Sequence, residues 1–378
     1  WSNDSRGPIV YETTKALKKL GVDITVINQH GPGCKTWEEL EGIKVYRPRY
    51  FWPDKLEVLH DIGGGLPAAW EKKKWTRVLF PFLLMAQAIA VLRLAPYYDL
   101  VHTQFTISAA AAVLGEHFHQ KPIVATVRGS DIYRIPKYPG GKEFTRLALS
   151  KCNKITLMSK DLLNTTVKLG ISSDKFEYIP PPIDFETFYP NKWEEREPYV
   201  VFIGSLIKRK GPDVLIEAFK KVSLLFPDYT LIIVGTGPEE QNLLEQVQRL
   251  GLEGRLKFIS HLVPFEIANL LRRSRLLVLP SLEEALGMVI VESLASGTPV
   301  VATNVGGIPE VLPSQAGILV SPNDPYELSD AICYLLGHPA ELELMSKFGE
   351  SWARSNFISH QQNALRLKSL FENVLQNG

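Results

Sequence analysis

The stretch "LLVLPSLEEALGMVIVESLASGTPVVAT", Leu276 to Thr303, decides how the chain is read. An apolar run ends in Pro280 and Ser281, a loop "LEEALG" follows, and a helical stretch begins near Met288. Gly297 then supplies a left-handed stop, and "TPVVAT" is a second strand. Strand, loop, helix and strand in that order make one βαβ unit of a parallel sheet. No Ser, Thr, Asp or Asn stands just before Met288 to cap the first amides. Those donors and the helix dipole therefore suit an anion, a phosphate above all. Glu292 sits among valines and leucines, where an unpaired carboxylate is costly to bury. It lies about one turn into the helix on the side of Met288, placed to accept hydrogen bonds from a vicinal diol such as a ribose. Glu284, in the loop, reaches toward the group beyond the phosphates.

The same alternation extends in both directions. Strands are expected at 199–204, 230–235, 256–260, 276–281 and 298–303, with helices starting at Pro212 and Pro238. Upstream, strands are expected at 22–27, 99–104, 122–127, 154–159 and 175–180. The proline-dense segment "IPPPIDFETFYP", 179–190, reads as a linker. The expected architecture is two doubly wound α/β domains facing across a cleft, with ligands at the carboxyl ends of the strands. Their expected extents are 1–185, completed by the terminal helix at about 358–378, and 186–357. The chain opens on a polar loop and a helix, so a first strand of roughly ten residues is expected to lie upstream.

Bulk properties narrow the class. A chain of 378 residues exceeds one core, and 45% hydrophobic with 22% charged residues describes a globular protein. A net charge of +1 gives no footprint for nucleic acid. Cys34, Cys152 and Cys333 have neither disulfide nor metal-ligand spacing, which suits a cytoplasmic setting. No Asp-x-Asp pair occurs, so no bound metal or cofactor is expected. The most apolar stretch, Val78 to Ala95, reads as a well-buried helix with a solvated first turn. The alternative is that "WEKKKWTR", with Trp70, Trp75 and Lys72 to Lys74, rests peripherally on an anionic membrane.

A second cluster is "GSLIKRKG", Gly204 to Gly211. Lys208, Arg209 and Lys210 at the end of a strand suit a diphosphate whose charge rises as it leaves. The spacing is not that of a P-loop. "VGTGPEE", 234–240, lacks the third glycine of a dinucleotide fingerprint, and no acidic residue ends the next strand. Its glycines let the backbone approach a ligand or make the turn. His102, at a strand end, and His261 are the histidines worth naming.

Together, "GSL…KRKG", "VGTGP", "LPS", "EEALGMVIVES", "ASGTPVVAT" and "GGIPE" resemble the retaining glycosyltransferases of family 4, the group 1 type with GT-B architecture. That family pairs two glutamates separated by seven residues, as Glu284 and Glu292 are. "YDLVHTQ", "RGSD" and "PPPIDFETFYP" occupy the places of its weaker motifs. The resemblance implies that Glu292 binds the ribose and Glu284 contacts the donor sugar. Lys210 and Arg209, with amides near Gly287, Met288 and Val289, would hold the diphosphate. Gly204, Ser205, Gly235, Gly306 and Gly307 would line the donor side. Gly7, His102 and Asp131 would face the sugar or acceptor. Two positions depart from the family. Arg128 stands where histidine is frequent, and Ser205 replaces a frequent phosphate-binding arginine. Arginine is no general base at neutral pH, so Arg128 is expected to act electrostatically, making up the charge lost at Ser205.

The resulting expectation is a metal-independent glycosyltransferase that takes a nucleoside-diphosphate sugar, UDP or GDP. Its acceptor is a glycan, a lipid-linked glycan or a small molecule, in polysaccharide or glycolipid assembly at the inner membrane face. The alternatives are a nucleotide-sugar epimerase or phosphorylase of the same fold, or a decayed nucleotide-binding protein.

Overall fold

The structure, a computed structural model, describes residues 8–59, 70 and 74–377, with the backbone alone at Pro8 and Ser130. The chain divides into two compact units. The first runs to Pro181 and regains the terminal helix His360–Asn377; the second is Pro182–Ser359.

The second unit is built on six parallel strands: β8 (Tyr199–Ile203), β9 (Thr230–Val234), β10 (Leu256–Ile259), β11 (Leu276–Leu279), β12 (Val300–Thr303) and β13 (Gly317–Val320). They lie in the order β10–β9–β8–β11–β12–β13. Counted from β8 this is 3-2-1-4-5-6, the doubly wound order whose direction reverses between β8 and β11. Ligands of such sheets bind outside the carboxyl ends at that reversal, so the loops after β8 and β11 are singled out by topology alone. β8, β9, β11 and β12 are legible because helices cover both faces and each reads as a largely apolar run. Phe202, Leu231, Ile233 and Val278 pack beneath Leu215 and Phe219 of the helix Pro212–Leu225 and Ile332 and Leu335 of the helix Pro325–Gly337.

Two local differences from the sequence expectation stand out. The helix expected at Pro238 starts at Glu240, because the turn before it is tied down by a hydrogen bond from Glu239 N–H to Leu206 O at 3.1 Å. β13 carries no clear sequence signal. It is four residues long and starts with Gly317, whose missing Cβ would fall 2.0 Å from Val300 O.

The described residues of the first unit form two sheets. β4 (Val101–Gln104), β5 (Ile123–Thr126), β6 (Lys154–Leu157) and β7 (Phe176–Tyr178) form a parallel sheet in sequence order. β1 (Thr25–Ile27) pairs in parallel with β3 (Ile43–Tyr46), which forms an antiparallel hairpin with β2 (Trp37–Leu40). The hairpin is absent from the sequence expectation. Its signal is the pair Glu41–Gly42, with φ of 48° and 76°, the signs a two-residue hairpin turn requires. The terminal helix buries Leu367, Leu370 and Val374 against Leu17, Val124 and Ile179. Asn363 Nδ2 fixes it further by donating to Pro180 O at 3.0 Å.

The apolar stretch needs correction. It forms the turn Lys74–Leu79 and the helix Phe80–Leu94, but only 33% of its most apolar part is buried. Leu79 and Leu83 join a core with Tyr50, Leu59 and Ile107, while the opposite side remains open. Apolar composition without a marked polar face conceals which side is covered, so the sequence suggested burial all round.

Candidate functional site

At the β8/β11 reversal, two loops meet so closely that only glycine fits between them. Gly211 has φ +64°, and a Cβ there would sit 2.2 Å from Pro280 O. Leu282 N–H donates to Arg209 O at 2.7 Å, joining the basic loop to the acidic one. This places the loop Lys208–Lys210 next to the loop that carries Glu283 and Glu284. Lys210 Nζ forms an ion pair with Glu284, whose carboxylate also accepts from Ser281 Oγ at 3.4 Å and from Ala285 N–H at 3.2 Å. Arg209 is half-buried, and its Nε is buried without a partner among the described residues. Ser205 is exposed.

The helix Met288–Ala295 starts where expected. Gly287 precedes it in the left-handed region, φ 87°, and no side chain among the described residues caps its first turn. Met288 and Val289 are half-buried at this uncapped end. Glu292 follows one turn in. Burial pushes its carboxyl up to about 7, and no cation among the described residues opposes the shift. Gly306 and Gly307 pack on the backbone of this loop; Gly307 N–H donates to Glu284 O at 3.2 Å, and a Cβ on Gly306 would lie 1.9 Å from the same oxygen. Gly235, φ +145°, lies against Gly204 O, where a Cβ would come within 2.0 Å. The "GTG" glycines thus serve backbone approach between the β8 and β9 loops.

In the first unit a polar cluster occupies the carboxyl ends of β4 and β5. His102 Nε2 lies 2.8 Å from Thr126 Oγ1 and 3.3 Å from Gln104 Nε2. Gln104 Oε1 accepts from Arg128 Nε at 2.9 Å. Desolvation lowers the Arg128 guanidinium to about 10, a fall that nearby Asp131 partly opposes. Desolvation, with Arg128 close by, lowers His102 to about 4, so at neutral pH its ring is uncharged. Asp131 is buried and both its oxygens are occupied: Arg128 N–H donates at 3.1 Å, Thr106 N–H at 3.0 Å and Thr106 Oγ1 at 3.1 Å. It clasps the loop that presents Arg128. Burial raises its carboxyl, while these hydrogen bonds pull the other way. His261 is exposed, and Gly7 lies outside the described residues.

Residues 8–187 match the family model described as Glycosyltransferase Family 4, and residues 184–352 match the one described as Glycosyl transferases group 1. The chain is a group 1 glycosyltransferase. Among its relatives, the D-inositol 3-phosphate glycosyltransferase of Corynebacterium glutamicum is 27% identical over 418 residues, spanning 100% of this chain and 94% of the relative. The N-acetyl-alpha-D-glucosaminyl L-malate synthase of Bacillus anthracis is also 27% identical, over 77% of this chain and 78% of the relative. In fold the chain is similar to sucrose-phosphate synthase from Thermosynechococcus elongatus, with TM-score 0.83 at 20% identity over 99% of this chain and 94% of that one. It is also similar to Anabaena HepE in complex with UDP, with TM-score 0.70 at 18% identity over 93% and 100%. The fold is GT-B, built of two Rossmann-like domains.

In this glycosyltransferase the second unit brings Gly204, Ser205, Arg209, Lys210, Gly235, Glu284 and Gly287 onto the loops after β8, β9 and β11, and Met288, Val289 and Glu292 onto the first turns of the helix that follows β11. His102, Arg128 and Asp131 belong to the first unit. Sequence reasoning missed Ser281 and Gln104. Ser281 is buried, accepts from Thr303 Oγ1 through its carbonyl and supports Glu284. Gln104 ends β4 as His102 nearly does, so the rule that marked polar residues at strand ends would have found it.

Proposed function

We propose that this glycosyltransferase is retaining and metal-independent, and that it moves a sugar from UDP-sugar or GDP-sugar to a glycan or lipid-linked acceptor at the cytoplasmic membrane face. One observation carries the donor assignment: a half-buried Glu292 carboxylate, with no partner among the described residues, lies one turn from an uncapped helix end, and the loop leading into that helix is joined to the basic loop after β8. The uncapped amides take phosphate, Glu292 takes the ribose hydroxyls, and Arg209 and Lys210 take the diphosphate. Likeness to a protein solved with UDP supports a nucleotide at this place.

The transfer breaks the bond from the sugar's anomeric carbon to the diphosphate oxygen, and the electron pair leaves with that oxygen. The acceptor oxygen bonds to the same carbon on the same face, and its proton passes to the departing phosphate. No protein base is needed, which suits a chain whose Arg128 stays protonated and whose His102, lowered to about 4 by burial, is a weak base with Nε2 held 2.8 Å from Thr126 Oγ1. Lys210 and Arg209 stabilise the charge as it forms, replacing a divalent cation. Donor binding draws Lys210 from Glu284 toward phosphate, freeing Glu284 for the sugar hydroxyls. His102, Gln104 and Arg128 belong to the acceptor side.

Thermal unfolding with UDP, GDP, ADP and their sugar conjugates, with and without chelator, tests this. At a hundredfold excess over Kd, the correct nucleotide should add about 2.7 kcal/mol. The gain should survive chelator and vanish in Glu292→Ala. Stabilisation that needs a divalent cation, or that Glu292→Ala retains, refutes the site.

A further inference from the structure

The Lys74–Leu79 turn and the Phe80–Leu94 helix have one covered side and one bare one. Leu79, Leu83, Ala88 and Val91 are buried. Val78, Phe82, Met85 and Ile89 are 67%, 49%, 55% and 41% exposed. Their spacings of four, three and four residues set them in one line along the helix. Trp75 stands exposed at the start of that line. From Lys72 to Tyr98 the chain has no aspartate or glutamate, yet it carries Lys72, Lys73, Lys74, Arg77 and Arg93. Of these, Lys74, Arg77 and Arg93 are exposed in the described residues, so cations flank the apolar line at both ends.

We propose that this face seats the protein on an anionic lipid bilayer, with Val78, Phe82, Met85 and Ile89 entering the boundary of the acyl chains and Lys74, Arg77 and Arg93 meeting lipid phosphates. Trp75 lies at headgroup depth, where indole rings gather. Segment Lys74–Tyr97 is long and apolar enough to span a bilayer, and its most apolar 18 residues have a mean hydropathy of 2.1. Spanning would nevertheless strip Leu79 and Leu83 from the core they share with Tyr50, Leu59 and Ile107, so the helix lies on the membrane.

A second copy of the chain is a poorer occupant. Antiparallel pairing of two such helices sets Arg93 against Lys74 and Arg77, parallel pairing sets like against like, and the segment offers no acid in either case. A line of four side chains is also far short of the roughly 800 Å² per partner of a stable interface. Anionic lipid answers both the apolar line and its cationic ends.

The experiment is co-sedimentation of the full chain with vesicles of phosphatidylcholine alone and of phosphatidylcholine containing phosphatidylglycerol. Binding is expected to the anionic vesicles, weaker by about tenfold on neutral ones, and reduced by added salt. The double variant Phe82→Glu with Met85→Glu changes exposed positions and should abolish binding while its circular dichroism and thermal midpoint stay unchanged. Ile89→Glu is the second variant, should the double one fail to fold. Absence of vesicle binding, binding that both variants retain, or concentration-dependent self-association that the variants abolish would each overturn the proposal. Nucleotide-induced stabilisation, read on the same samples without vesicles, reports the donor site separately.

Discussion

Glu292→Gln should make the free protein more stable at neutral pH while weakening its hold on nucleotide. Burial raises the Glu292 carboxyl from 4.5 to about 7. Between those values the folded protein keeps a proton that the unfolded chain has released. Stability from this group is therefore fully present below about pH 4.5 and is lost as pH rises through about 7. At about 1.36 kcal/mol per unit, the 2.5-unit difference between 4.5 and 7 bounds the loss at about 3 kcal/mol. Glutamine has the same shape and never ionises, so it removes this slope. Urea unfolding of wild type and variant across that pH range should give curves that separate progressively toward neutral pH and run parallel above pH 7. The variant amide offers one acceptor where the carboxylate offers two charged ones, so UDP or GDP affinity should fall by roughly 10- to 100-fold, the worth of a charged hydrogen bond. Wild-type affinity should itself weaken as pH drops below about 7, since protonation removes the acceptor charge. Parallel stability curves at every pH would refute a desolvated Glu292 carboxyl, and unchanged nucleotide affinity would refute its contact with ribose.

Other outcomes follow from the same geometry. Lys210→Met should lower kcat by about 10²- to 10³-fold, more than it raises KM, because the charge it stabilises forms only as the bond breaks. Arg128→Lys should fail to restore the activity lost in Arg128→Met, since the Nε bond to Gln104 at 2.9 Å has no counterpart in lysine. Steady-state kinetics on both variants decides it. Gln104→Leu should mimic Arg128→Met more weakly, by about tenfold in kcat/KM, with the thermal midpoint held. Gly211→Ala puts a Cβ 2.2 Å from Pro280 O at φ +64° and should cost about 2 kcal/mol or more of stability, read by thermal unfolding.

Much of the second unit was legible because its physics is local. The central parallel strands, covered on both faces, read as largely apolar runs, Pro212 marks a helix start and Gly297 a stop. The missing cap before Met288 and the misplaced carboxylate at Glu292 mark the site within a few residues of each other. The β2–β3 hairpin, β13 and Gln104 were not read. The hairpin has two four-residue strands with charged residues in both, β13 is four residues long, and Gln104 gains meaning only from Arg128, which is distant in sequence.

The sequence by itself determined the alternation of strands and helices, the glutamate pair and the basic loop, since each is a matter of neighbours along the chain. Only the tertiary structure decided the strand order that reverses between β8 and β11, the ion pair of Lys210 with Glu284, and the bare side of the Phe80–Leu94 helix. Those depend on which distant segments pack together, and a helix that is apolar all round does not announce which of its faces the rest of the chain will leave uncovered.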